Sequence, residues 1–147
     1  MIPIAVTIAG SDSGGGAGIQ ADLKTFSALG VYGASVIAAL TAQNTKGVSG
    51  IHDVPPEFVT AQLEAVYSDL KVRATKIGML SRPATIEAVA TGLKKYNVRN
   101  VVLDPVMVAA SGDRLLVPEA VETIKRVLFP LADIITPNLA EAAALLD

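Results

Sequence analysis

Residues 10–22 read GSDSGGGAGIQAD, and they lie between two segments whose patterns predict different secondary structures. Residues 4–9 form a near-continuous apolar run, which is typical of a strand buried on both faces. Apolar residues then recur at helical spacing over residues 19–26, and Gly30 follows as a helix stop. The pattern predicts a strand–loop–helix junction at the carboxyl end of a strand, with the helix beginning near Ala17. Open parallel sheets bind ligands at such junctions.

Five glycines in nine residues would let the backbone of this loop approach a ligand closely, and the helix start would direct free N–H groups into it. A GxxxxGK[ST] phosphate loop is excluded because no lysine directly follows the glycines. A GxGxxG dinucleotide fingerprint fits at Gly14 and Gly16 but fails at Ile19. Two interpretations stay open: a flexible turn, or a lid over a small polar substrate to which Asp12 and Asp22 supply polarity.

The composition is that of one domain with a sizeable core, because 51% of the 147 residues are hydrophobic. The net charge is −2 and no cluster of Lys or Arg occurs, so we expect no nucleic-acid partner. The absence of cysteine excludes disulfides and thiolate metal sites. His52, the one histidine, lies in a stretch without a partner at metal-ligand spacing, which predicts a surface or structural role. No leader-like or long apolar segment occurs, so we expect a cytoplasmic protein without membrane contact.

The rest of the chain alternates strand-like and helix-like segments, which predicts an α/β fold with a largely parallel sheet. Ser81 is expected to cap a helix that has Pro83 in its first turn and ends at Asn97. The last helical pattern reaches residue 147 without a stop signal, which predicts that the chain is the amino-terminal portion of a longer one. The other expected strands are residues 34–42, 48–54 (an edge or flap strand), 76–79, 101–103 and 134–135; the other expected helices open at residues 55–56 and lie around residues 121–128 and 140–146.

Residues 9–25, AGSDSGGGAGIQADLKT, resemble the amino-terminal signature of the hydroxymethylpyrimidine/phosphomethylpyrimidine kinases, thiamine-biosynthesis members of the ribokinase-like family. Similar strings follow at residues 102–107, VLDPVM, and 136–142, TPNLAEA. The resemblance implies a ribokinase-like three-layer αβα fold with a mostly parallel central sheet. It also implies that residues 1–147 are the amino-terminal portion of one kinase domain, incomplete at the carboxyl end. The implied activity is ATP- and Mg²⁺-dependent phosphorylation of 4-amino-5-hydroxymethyl-2-methylpyrimidine and of its monophosphate.

Gln43 follows the apolar run of residues 34–42 and is the first candidate for substrate binding. A primary amide presents an acceptor and two donors side by side, which matches the amino group and ring nitrogen of an aminopyrimidine. Such a pairing discriminates against carbonyl pyrimidines, because a mismatch leaves buried polar groups unpaired. A glutamine that only ties down a loop fits the pattern equally well. The resemblance favours the first interpretation, because the family keeps a polar residue on the pyrimidine here.

Four further residues match substrate-pocket positions of the family. Asp22 lies one turn beyond Gly18, so both face the same side of the first helix. By itself, Asp22 could equally be an exposed helix carboxylate, and Met79 could be a core residue at a strand end. The resemblance implies that Gly10, Asp22, Val106 and Met79 line the pyrimidine pocket.

Two carboxylates are candidates for the metal and nucleotide site. Asp104 ends a strand at the ligand-binding edge and precedes a proline, so it could contribute to an Mg²⁺ site or form an Asx-turn. Asn138 and Glu141 have the spacing of a capping box. The resemblance implies that Asp104 and Glu141 hold Mg²⁺ and that Asn138 and Glu141 serve the nucleotide. These roles are compatible with capping, because a helix N-terminus favours anions.

The family's anion hole and catalytic position lie in a GxGC or GxGD motif, and this chain contains neither. Ser111-Gly112-Asp113 is similar only in part. We therefore expect the catalytic residue beyond residue 147 and little or no kinase activity from this chain alone. A pyridoxine or pyridoxal kinase and a non-catalytic pyrimidine-binding module remain as alternatives, with a nicotinamide-dependent enzyme more distant. The expected partner is a small pyrimidine, and a homodimer is compatible with the sequence.

Overall fold

The computed structural model describes residues 1–108, 112 and 115–146. Two residues of the Ser111-Gly112-Asp113 string, Ser111 and Asp113, lie outside this range. Within the described residues, every helix is too short or too polar to cross a lipid bilayer. The elements in chain order are β1 Ile4–Asp12, α1 Gly18–Ala28, β2 Tyr32–Asn44, β3 Gly47–Asp53, α2 Pro56–Tyr67, β4 Ala74–Ile77, α3 Pro83–Lys95, β5 Val101–Leu103, α4 Pro118–Thr123 with a following π-turn Ile124–Leu128 and 3₁₀ turn Phe129–Leu131, β6 Ile134–Ile135 and α5 Leu139–Leu146.

The strands of the described residues form one sheet in the order β3-β2-β1-β4-β5-β6. All neighbours are parallel except β2 and β3, which form an antiparallel ribbon at one edge. From β1 the chain adds β2 and β3 on one side and the later strands on the other. The strand order therefore reverses between β1 and β4, and ligands of open α/β sheets bind at the carboxyl ends of such a strand pair.

Alternation along the strands assigns the side chains to two helical layers. Val6 and Ile8 of β1 are fully buried in the main core with α2, α3 and the α4 segment. Thr7, between them, faces the opposite side and contacts Asp22 of α1. The structure is thus a mostly parallel sheet with helices on both faces, which confirms the predicted α/β class.

The predicted elements are present, with three corrections. Ser81 does not cap α3: its hydroxyl donates to Asp53, and the cap residue Arg82 makes no side-chain capping bond. The strand expected over residues 76–79 ends at Ile77, so Met79 lies just beyond it. The first strand is longer than its apolar run and reaches Asp12, in the glycine-rich segment, because its pairing with β2 continues past a bulge at Gly10.

Candidate active site

A cavity of about 320 Å³ lies at the carboxyl ends of β1, β2, β4 and β5, beside the start of α1. Its position is the one expected where the strand order reverses. Six of the residues selected from the sequence line it: Gly10, Asp22, Gln43, Met79, Asp104 and Val106. Their roles stay predictions, but one site can use all six. Asn138 and Glu141 are not among the lining residues. His52 is exposed on β3, as the sequence predicted.

The Asp12 carboxylate organises the glycine-rich loop from within. It is only 6% exposed. One carboxylate oxygen accepts the N–H of Gly14 at 2.7 Å, and the other accepts those of Gly16 and Ala17, each at 2.9 Å. The helix start therefore does not offer these N–H groups to a ligand, contrary to the expectation from the sequence. The loop forms one wall of the cavity, and the Asp12 side chain satisfies the backbone N–H groups of that loop.

Gly18 joins the start of α1 to the end of β1. Its φ is +57°, and a Cβ there would lie 2.3 Å from the carbonyl oxygen of Gly10. Ser11 and Gly18 also form an isolated antiparallel bridge. A residue with a side chain would have to leave both the left-handed conformation and this contact. Gly18 thus allows the start of α1 to pack closely against the end of β1. This packing places Asp22 of α1 at the cavity.

Gln43 is held from two directions. The hydroxyl of Ser13 accepts the backbone N–H of Gln43 at 2.8 Å and lies 2.7 Å from its carbonyl oxygen, which joins the glycine-rich loop to β2. The Thr41 hydroxyl lies 3.1 Å from the side-chain Oε1, and 2.9 Å from the carbonyl oxygen of Ser11. Within the described residues, Nε2 of Gln43 has no hydrogen-bond partner. The amide therefore lines the cavity with a fixed backbone and spare donors.

Lys76 is the functional candidate that the sequence reasoning missed. Its Nζ lies 3.0 Å from Oδ2 of Asp22, and the same oxygen accepts the Thr7 hydroxyl at 2.6 Å. The sequence did contain one indication of Lys76, because a lysine within a buried strand, on the face opposite Ile77, needs a polar partner. That signal predicts a polar partner on α1 only once strand register is known, because Lys76 and Asp22 are 54 residues apart.

The Asp104 carboxylate is partly buried and interacts with one positive and two negative side chains. Burial raises the pKa of Asp104 above its ordinary value; the Lys76 ammonium opposes this, and the negative charges of Glu141 and Asp22 add to it. Glu141 is 8% exposed and forms the predicted capping box: it accepts the Asn138 N–H at 2.9 Å, while its own N–H donates to the Asn138 side chain at 2.9 Å.

The oxygen donors of Asp104 and Glu141 suit Mg²⁺, which keeps several waters and needs few protein ligands. In the described part of the chain, no group of three or more His, Cys, Asp or Glu residues could enclose a metal ion. The chemistry of the two carboxylates is thus compatible with an Mg²⁺ ion held largely by water and phosphate, and not with a closed protein cage.

Comparisons with known proteins identify the family of the chain. The family profile of phosphomethylpyrimidine kinase matches residues 12–147. The chain is 66% identical to the hydroxymethylpyrimidine/phosphomethylpyrimidine kinase of Rhizobium meliloti and 61% identical to that of Escherichia coli, in each case over 97% of this chain. These alignments cover 53% and 54% of the two relatives, so the chain spans about half the length of the curated relatives it matches.

Solved structures show the same similarity. The phosphomethylpyrimidine kinase of Clostridium difficile superposes with a TM-score of 0.91 at 56% identity, over 97% of this chain and 62% of that one. A pyridoxal kinase of Staphylococcus aureus, in complex with AMP-PCP and pyridoxal, superposes with a TM-score of 0.85 at 35% identity, over 99% of this chain and 51% of that one.

Proposed function

The chain belongs to the phosphomethylpyrimidine kinase family. From this membership we propose that it is part of an ATP-dependent kinase of thiamine biosynthesis. The substrates are 4-amino-5-hydroxymethyl-2-methylpyrimidine and its monophosphate. Residues 1–147 are the amino-terminal portion of one kinase domain and carry the pyrimidine pocket with part of the metal site. The match to about half the length of each curated relative supports this division.

The observation that carries the proposal is the Gln43 amide at the cavity wall. Its Oε1 has a second lone pair beyond the contact with Thr41, and its Nε2 has spare hydrogens. The amide can therefore accept from the exocyclic amino group of the pyrimidine and donate to the adjacent ring nitrogen. A carbonyl in place of the amino group would set two acceptors against each other, which gives the site its selectivity.

The other lining residues complete a pocket for a flat, small ring with one polar arm. Gly10 and Met79 form an apolar wall, because the Met79 methyl group packs against Gly10 and would lie only 2.6 Å from a Cβ at that residue. Val106 contributes apolar surface beside Leu115. The Asp22 carboxylate, held by Thr7 and Lys76, is the hydrogen-bond acceptor that we assign to the hydroxymethyl group. The pocket thus binds the ring on one side and orients its alcohol on the other.

The nucleotide site lies toward the carboxyl ends of β5 and β6. The N-terminus of α5 favours the negative charge of ATP phosphates, and Asn138 and Glu141 hold that terminus in place. Asp104 and Glu141 would hold Mg²⁺, which neutralises charge on the phosphates when it is bound. The resemblance assigns the anion hole and the catalytic position to chain beyond residue 147. We therefore expect the 147-residue chain alone to phosphorylate neither substrate at an ordinary kinase rate.

Substitution of Gln43 tests the pyrimidine assignment in the native-length gene product. Gln43→Leu removes both hydrogen bonds and should lower kcat/KM for the aminopyrimidine alcohol by about 10- to 100-fold, the usual effect of unpairing a buried polar group. Gln43→Glu keeps the shape and the acceptor but loses the donor, and should also lose activity. Thr45→Ala, at an exposed neighbouring position, is the matched control. Equal kinetics in the Gln43 variants and the control would refute the assignment.

A pyridoxal kinase is the second candidate, because solved pyridoxal kinases superpose over 99% of the chain. Both substrate rings carry a hydroxymethyl group, but pyridoxal lacks the amino group next to a ring nitrogen. Turnover of the two substrates by the native-length product distinguishes the candidates. A preference for pyridoxal that survives Gln43→Leu would favour the second. Binding of the pyrimidine without ATP turnover would favour a non-catalytic binding module.

A further inference from the structure

The Lys76 ammonium is placed in the cavity by its strand and by Gly78. Lys76 lies on the α1 face of β4, opposite Thr7 of β1 in the register. Its side chain then runs toward the carboxyl end of the sheet, across Gly78. A Cβ at residue 78 would lie 2.9 Å from the Lys76 Nζ, so a side chain there would displace the ammonium. The lysine thus reaches a cavity that begins beyond the end of its own strand.

Among the described residues that line the cavity, Lys76 is the one cation, and Asp12, Asp22 and Asp104 are the anions. Its ammonium has three N–H donors. One of them is directed at Asp22, and no other described residue accepts from Lys76. Two donors therefore remain for a ligand without any loss of the ion pair that holds Asp22.

In the described glycine-rich loop, the backbone groups that could bind a phosphate are already occupied. The N–H groups of Gly14, Gly16 and Ala17 at the start of α1 donate to Asp12. A phosphate monoester carries a charge of about −1.5 to −2 at neutral pH, and the carboxylates of the cavity would repel it. Among the described residues that line the cavity, Lys76 offers both a positive charge and free donors to such a phosphate.

We infer that Lys76 binds the phosphate of the monophosphate substrate and so determines whether the site accepts the second phosphorylation. This inference rests on the proposed function. In that second transfer an oxygen of the substrate phosphate forms a bond to the γ-phosphorus of ATP, the bond from the γ-phosphorus to the β,γ-bridging oxygen breaks, and ADP leaves with that electron pair. Lys76 holds the accepting phosphate and keeps its protons throughout. The alcohol substrate has no phosphate and needs Lys76 only for the orientation of Asp22.

A comparison of Lys76→Met with Thr7→Val separates phosphate binding from the orientation of Asp22. Both variants remove one donor from Oδ2 of Asp22, but only the first removes the cation. In the native-length product, Lys76→Met should lower kcat/KM for the monophosphate about 10- to 100-fold more than for the alcohol, the range for a lost charge-assisted hydrogen bond. Thr7→Val should affect both substrates equally, and Lys76→Arg should restore part of the difference. Equal losses for both substrates in Lys76→Met would overturn the inference.

A measurement on the unmodified protein covers the case in which Lys76→Met does not fold. Lysine acylation, mapped by peptide mass spectrometry, should slow at Lys76 when the pyrimidine monophosphate is added, and the alcohol at equal occupancy should protect less. Exposed Lys95, remote from the cavity, is the internal control. Equal protection of Lys76 by alcohol and monophosphate would overturn the inference. Because this readout needs no turnover, it decides the role of Lys76 even if the native-length product phosphorylates neither substrate, which would refute the proposed function separately.

Discussion

Replacement of Asp12 by asparagine should loosen the glycine-rich loop and destabilise the protein. The carboxylate accepts three backbone N–H groups, one on Oδ1 and two on Oδ2. An asparagine has one side-chain oxygen, so in either orientation its NH₂ group faces at least one of these N–H groups. The variant therefore loses at least one hydrogen bond and the charge that strengthens the others.

The magnitude follows from the number of donors and their access to water. An unsatisfied buried donor costs about 1–3 kcal/mol. Gly14, Gly16 and Ala17 are exposed, so water can satisfy part of what the side chain leaves unpaired. We expect Asp12→Asn to lower the free energy of unfolding by about 2 kcal/mol and Asp12→Ala by about 3 kcal/mol. With a urea m-value of about 2 kcal/mol/M, the first change lowers the urea midpoint by about 1 M.

Urea unfolding followed by circular dichroism measures both variants, and Asp69→Asn is the matched control. Asp69 is exposed, and its side chain has no partner within the described residues. The same change of charge there should alter the free energy of unfolding by less than about 0.5 kcal/mol. An effect of Asp12→Asn no larger than that of the control would show that water, and not the carboxylate, satisfies the loop. The assignment of Asp12 as the residue that closes the loop would then be wrong.

Two further predictions concern Gly18 and Asp53. Gly18→Ala should lower the free energy of unfolding, measured with urea, by at least about 2 kcal/mol more than Gly30→Ala does. Both residues have positive φ, but only at Gly18 would a Cβ lie against a backbone carbonyl. Equal losses in the two variants would contradict the contact with Gly10. Burial raises the pKa of Asp53, but the hydrogen bonds and charge of Arg82 and the bond from Ser81 outweigh it and hold that pKa below the ordinary 3.8. The carboxylate thus stabilises the fold above pH 3.8, and this contribution is lost as the pH falls through the lowered pKa. Asp53→Asn should therefore flatten the acid limb of a stability–pH curve, and an unchanged limb would refute the sign.

Much of the fold could be predicted from the sequence because its elements depend on local patterns. The apolar run before the glycines, the helical spacing after them and the short strands 101–103 and 134–135 all lie where they were expected. The capping box of Asn138 and Glu141 was also predictable, since its two hydrogen bonds join residues three positions apart. The error at Ser81 has the opposite cause: its hydroxyl bonds Asp53, 28 residues away, instead of its own helix.

The candidate site likewise has features that the sequence predicts and features that only the packed structure determines. The sequence alone identified the polar residue types at the strand ends. The resemblance to a known family then selected Gln43, Asp22 and Asp104 among them. Only the tertiary structure could show that the Lys76 ammonium meets the Asp22 carboxylate in the cavity, because the two residues are 54 positions apart. A local hydrogen-bond pattern is encoded in spacing along the chain, whereas the meeting of β4 with α1 depends on strand order, register and the face on which each side chain lies. Those are properties of the whole packed sheet, and no single segment carries them.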